Sequence, residues 1–235
     1  MTISSMETTA GSKEPRSLLG LAHWLTATLV LCGLSLVITI DNLAYETNNL
    51  SAAAQGSPVA SELHLAHERV RDSGVLAISF ATIALVLLLV WQFLAHANLR
   101  RFGDERLRFP PAVAVLVWVV PGLDLVLPPL AVRELWKRSD PDVGALDGRA
   151  PRASPLVALW WIVLLAAAAA IWMALRADSA GVQVLLHRER LLLAACGVGL
   201  GTLVLTAILV ERISGRQSIR TNQTISRSWA SWRRS

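Results

Sequence analysis

Few residues in the apolar parts of this chain are able to do chemistry. Asp124 stands between Pro121-Gly122 and Pro128-Pro129, and His96 and Asn98 stand where an apolar run meets Arg100 and Arg101. An acid, an imidazole and an amide at membrane depth are the kinds of group that relay protons or hold ions, and interrupted helices commonly frame such sites. Asp124 also has a structural reading. Its carboxylate oxygen is able to cap a turn or helix start, and the N–H groups of Leu125 to Leu127 lie just beyond it, whereas Pro128 and Pro129 have none. A second set, Glu62, His64, His67 and Glu68, has the three- and four-residue spacing of one helix face. Two histidines without a third placed ligand make a poor metal site. An exposed polar helix face is the expectation there, with no metal and no cofactor.

The elements that must position these residues are apolar blocks. The chain is 54% hydrophobic and 17% charged, and its apolar residues come in long runs rather than at amphipathic spacing. That pattern predicts an all-α polytopic membrane protein. Spans are expected at about 18–40, 74–95, 155–175 and 191–210, giving a membrane domain over 18–213 between a polar N-tail at 1–17 and a basic C-tail at 214–235. The first run is too long for a secretory signal and ends in Ile38-Thr39-Ile40-Asp41 without small residues for cleavage, so it reads as an uncleaved span. Asn48 to Pro58 reads as a loop, with a helix from Val59 leading into the second span. Cys32 and Cys196 lie inside apolar runs and form no metal or redox motif.

A fifth apolar segment, 111–131, is broken by Pro121, Gly122, Pro128 and Pro129. Charge decides between a segment that crosses and one that re-enters. If it crosses, the two faces carry nine and thirteen basic residues; if it re-enters, they carry seventeen and five. The positive-inside rule prefers re-entry, with both termini cytoplasmic in the cell membrane. In that geometry about ten helical residues descend from Pro111, and Leu123 to Pro129 return in extended form. A crossing helix kinked at Pro121 and Pro128 is the alternative. Leu130 to Arg138 then resumes as an interfacial amphipathic helix with Glu134 and Arg138 paired at i,i+4. Gly197 and Gly201 form GxxxG in the last span, a pattern that permits close helix packing.

The Arg-rich balance, twenty arginines to two lysines with a net charge of +5, does not point to nucleic acid, because the basic residues flank apolar spans where membrane orientation accounts for them. The partners expected are the lipid bilayer, anionic lipid at the basic inner face, including the tail around Trp229 and Trp232, and either other membrane proteins or self-association.

Trp91, Ala97-Asn98-Leu99, Gly103, Pro110 or Pro111, Trp118, Val120-Pro121, Leu125, Pro128, Glu134-Leu135-Trp136 and Ser139-Asp140-Pro141, with a weaker echo in Arg212-Ile213 and Gln217, together resemble bacterial membrane proteins grouped as domain of unknown function 4328. The resemblance covers about Gly74 to Gln217 and implies a multi-span fold without an assigned chemistry. The chain departs from the family pattern at His96, where arginine is usual, at Asp124, where asparagine is usual, and at Pro129, where an aromatic is common. Interchange of Asp and Asn favours a capping role for Asp124, because Asn has the same carbonyl oxygen and does not titrate.

GxSxG, HExxH, P-loop and dinucleotide fingerprints are absent, and no base or nucleophile is placed beside Asp124. The expectation is a non-enzymatic membrane scaffold or interaction protein. The alternative is a small transporter or channel component built around Asp124, Asn98 and His96.

Overall fold

The structure is a computed structural model describing residues 17–57, 60–104, 107–141, 154–177 and 181–232. The N-tail, most of the linker before Pro155 and the side chains of Trp229 and Trp232 lie outside what is described. The described residues form six helices: α1 Leu19–Ala54, α2 Ala60–Arg101, α3 Pro111–Leu116, α4 Leu127–Arg138, α5 Pro155–Arg176 and α6 Val182–Trp232. Four of them, α1, α2, α5 and α6, are long and apolar enough to cross a membrane. At 1.5 Å per residue α5 rises about 33 Å, close to the roughly 30 Å hydrocarbon core, and the other three overshoot it.

The outside of the bundle is apolar. Val30, Leu34 and Ile38 on α1, Ile78 and Val86 on α2, Ile162 and Leu175 on α5 and Val204 on α6 are all exposed, as lipid-facing side chains must be. Inside, Leu25, Trp91, Leu99, Leu135, Trp160 and Ile213 belong to one buried cluster. α1 packs along both α2 and α6, and α6 along α5. α3 rests on α2 while α4 touches α2 and α5, so the α3–α4 hairpin sits between α2 and α5 at one end of the bundle.

The hairpin follows from its prolines. Pro110 is extended and Pro111 starts α3, where the missing N–H costs nothing. Pro121 then has no N–H for the carbonyl of Val117 and its ring crowds that carbonyl, and the helix ends at Leu116. Gly122 takes φ +84°, a conformation other residues rarely adopt, and reverses the chain. Pro128 falls in the first turn of α4, where proline is again tolerated. The return differs from expectation: Leu123 to Val126 run in tight turns, not extended, because Val126 and Leu127 donate to the carbonyl of Leu123 at 3.2 and 2.9 Å. α4 consequently begins three residues earlier than expected.

Two further differences concern helix length. α1 continues through Asn48 to Ala54, read from sequence as loop, because Leu43, Glu46 and Leu50 recur at helical spacing and are all buried. α6 does not stop with its apolar run. It continues past 213, and Ser214 and Gln217 are buried.

Candidate functional site

The arrangement most able to support a function is the set of polar groups holding the hairpin to the bundle. Gln92, fully buried in the middle of an apolar helix, uses both ends of its amide. Its Nε2 donates to the carbonyl of Ala114 at 2.9 Å and its Oε1 accepts from Trp118 Nε1 at 3.0 Å. Ala114 needs a donor because α3 ends early: the N–H of Trp118 bonds Val115 instead, leaving the Ala114 carbonyl as an orphan of the helix end. One side chain on α2 thereby completes a helix terminus on α3.

Glu134 on α4 closes the mouth of the hairpin. Its two oxygens accept the backbone N–H groups of Arg108 and Phe109 at 2.7 and 2.9 Å, and Arg138 Nε lies 3.5 Å away. The residues entering and leaving the broken segment are therefore adjacent, which makes the segment a returning hairpin and not a kinked rod. Asp104 extends the closure, pairing with Arg138 at 3.7 Å and with Arg220 of α6 at 3.3 Å. Arg220 also donates to the carbonyl of Arg138 and stacks over Phe102. Arg216 sits over the Trp136 ring, 4.1 Å from its centroid.

Gln217 of α6 bonds three residues, two on α2 and one at the end of α4. Its Nε2 donates to the Ala95 carbonyl at 3.1 Å and to Ser139 Oγ at 3.0 Å, while its Oε1 accepts from Asn98 Nδ2 at 3.3 Å. One turn earlier Ser214 accepts from Trp91 Nε1 at 2.9 Å. On the other flank Trp118 makes edge contacts with Trp160 and Trp161, and Trp161 Nε1 donates to the Leu125 carbonyl at 3.1 Å.

The polar residues singled out from sequence do not form one site. Asn98 belongs to the Gln217 network. His96 is fully buried, its Nδ1 lies 2.9 Å from the Gln92 carbonyl, and the ring also faces the Ala131 carbonyl of α4, towards which Nε2 makes no well-aligned hydrogen bond. Asp124 stays at the tip, where its Oδ1 accepts the N–H of Gly122 at 2.9 Å. It is a turn cap as expected, but its donor is Gly122 and not Leu125 to Leu127, because Val126 and Leu127 are already bonded to Leu123. Gly197 and Gly201 do not act together: a Cβ at Gly201 would meet Val163 of α5 at 3.6 Å, whereas one at Gly197 meets nothing within 4 Å. Gly199, between them, faces Leu36 of α1 at 3.6 Å.

Gln92 went unread in the sequence although a signal for it exists, since a lone amide in an apolar span must find a partner. At the opposite end of the bundle, His67 Nδ1 lies 3.1 Å from Glu46 Oε1, and His64 pairs with Glu68 on its own helix at 3.9 Å. Among the described residues no group of three or more His, Cys, Asp or Glu side chains is arranged to hold a metal ion.

The network is made of matched donors and acceptors, an arrangement suited to fastening. Its members largely coincide with the residues that carry the family resemblance: Trp91, Asn98, Trp118, Glu134, Trp136, Ser139 and Gln217 all take part. No curated protein and no solved structure matches the chain. The model for the family described as Domain of unknown function (DUF4328) matches residues 55–215, more than half of the chain and the stretch containing α2, the whole hairpin and α5, and the protein belongs to that family.

Proposed function

We propose that this multi-pass membrane protein is a non-catalytic interaction protein that presents the hairpin tip to a second membrane-embedded chain. The observation that carries this is the state of the tip. Val119, Val120, Leu123, Leu125 and Val126 are exposed, and the turn leaves the carbonyls of Val119, Pro121 and Gly122 without a donor among the described residues. Lipid covers apolar side chains but supplies no hydrogen bond to irregular backbone. A partner helix that is apolar and carries one donor, such as a hydroxyl, amide or indole N–H, satisfies both needs. A photoreactive residue in place of Leu123, activated in native membranes, is expected to give a discrete protein adduct. Adducts to lipid alone would overturn the reading.

In this reading the hairpin end faces the cytoplasm, supported by the skew of seventeen basic residues to five and by the meeting of Asp104, Arg138 and Arg220 at that end. Single cysteines at Gly103 and Gly144, in a chain lacking Cys32 and Cys196, are expected to be labelled from the same side. Opposite labelling would reinstate a crossing segment.

One observation favours the second reading, a small transporter or channel component: a fully buried imidazole, His96, whose Nε2 lacks a well-aligned hydrogen bond, beside a broken segment. Ion flux in proteoliposomes that disappears in His96→Phe, with the fold retained, would promote it over the first.

A further inference from the structure

We propose that the cleft between α4 and the entrance to α3 binds one anionic glycerophospholipid, with its phosphate held by Arg108, Arg133 and Lys137 and an acyl chain laid along the groove between α4 and α5. The cleft has a volume of about 370 Å³, and these three cations line it together with Phe109 and Leu130. The other charged groups in its wall already have partners. Both oxygens of Glu134 accept backbone N–H groups, and Arg138 is shared between Glu134 and Asp104. Among the described residues no carboxylate lies within salt-bridge distance of Arg108, Arg133 or Lys137. Three cations lining one concave surface, none of them paired with a carboxylate among the described residues, call for an anion, and guanidinium groups match phosphate oxygens in geometry.

The apolar half of the ligand is specified separately. A second groove, about 320 Å³, adjoins the first through Leu130 and Arg133 and continues past Pro129, Pro155, Val157 and Ala158. It leads from the charged cleft onto α5, a helix of membrane-crossing length. A free phosphate or a nucleic acid has no use for that trough, whereas a phospholipid has its charge and its chain joined in the same order. α4 lies correctly for this purpose, with Val132, Leu135 and Trp136 buried against the bundle and Arg133 exposed on the other side. Basic pockets between membrane helices at the inner surface are suited to anionic headgroups.

The test uses the full-length protein in detergent, with lipid retention counted by native mass spectrometry and unfolding followed by heating. Phosphatidylglycerol is expected to remain as one adduct per chain and to raise the melting temperature above that in phosphatidylcholine. Arg133→Gln with Lys137→Gln should weaken retention by about tenfold or more, while melting in phosphatidylcholine stays at the wild-type value. Ala158→Trp, which blocks the trough and leaves every charge in place, should also lose the adduct. Glycerol phosphate and inorganic phosphate at the same concentration should give no shift. Equal retention of phosphatidylcholine, an unaffected double variant, an unaffected Ala158→Trp, or a shift reproduced by glycerol phosphate would each overturn the proposal.

Discussion

At the hairpin end, Gln92, Ser139, Ser214 and Gln217 are buried among helices and each is bonded across to another element. At the opposite end, Glu46 and Glu189 are buried to a similar depth, and each leaves one carboxylate oxygen without a partner; Asn49 leaves its amide nitrogen in the same state. Apart from His96 and the ion pairs at the hairpin mouth, the first end buries neutral amides, hydroxyls and indoles, which are inexpensive to bury once their hydrogen bonds are made. The second end buries acids whose ionised form is costly away from water. A protein whose buried polar groups are more fully bonded at one end than at the other does not open uniformly, and local opening free energy should be lower around Glu46 and Glu189 than around Gln217.

Glu134→Ala attacks this contrast most directly, because it strips the acceptors from two backbone N–H groups at the hairpin mouth. Each unmet group costs about 1–3 kcal/mol, less where water reaches it, so a loss of about 2–4 kcal/mol is expected in detergent unfolding, with new protease cleavage within 117–126. Unchanged melting and cleavage would mean that the mouth is held by packing instead.

A smaller effect is expected at the tip. Asp124→Leu leaves the Gly122 N–H without its acceptor and should cost about 1 kcal/mol, whereas Asp124→Asn retains a carbonyl oxygen and should melt like the wild type. If Asn proves as damaging as Leu, the charge itself matters, and the transporter reading moves ahead of the interaction reading.

The smallest effect, and one of opposite sign, belongs to the far end. Glu189→Gln replaces a buried acid that faces Glu46 by a neutral amide, and stability should stay level or rise by up to about 1 kcal/mol. A drop greater than about 2 kcal/mol would reveal an undetected partner for that carboxylate and erase the distinction between the two ends.

Much of this architecture is readable in the sequence because membrane solvent simplifies the signal: four uninterrupted apolar runs become four crossing helices. The fold-back of the broken segment is readable too, since Pro121-Gly122 and Pro128-Pro129 have fixed backbone consequences. What escapes is whatever depends on a partner distant in the chain. The role of Gln92 arises only because α3 frays and exposes the Ala114 carbonyl, 22 residues away. Gln217 takes its meaning from Ala95, Asn98 and Ser139, brought to it by α2 and by the end of α4. Asn48 to Ala54 has loop-like composition, yet the buried positions Leu43, Glu46 and Leu50 hold it in α1. Asp124 has the expected task with a different donor, because the handedness of the turn at Gly122 decides which N–H points back.

The 51-residue α6 has a mechanical consequence. Its rise is about 76 Å, more than twice the hydrocarbon thickness. Arg220 clamps the helix onto Asp104, and neither glycine nor proline stands between Gly215 and Trp232, so the segment lacks the two residues at which helices kink most sharply. The helix continues for about 18 Å beyond that clamp. A tilt of about 10° in the apolar half would swing its end by roughly 3 Å on that geometry. Small reorientations among the membrane helices therefore reach the end of α6 as displacement rather than being absorbed by a flexible joint.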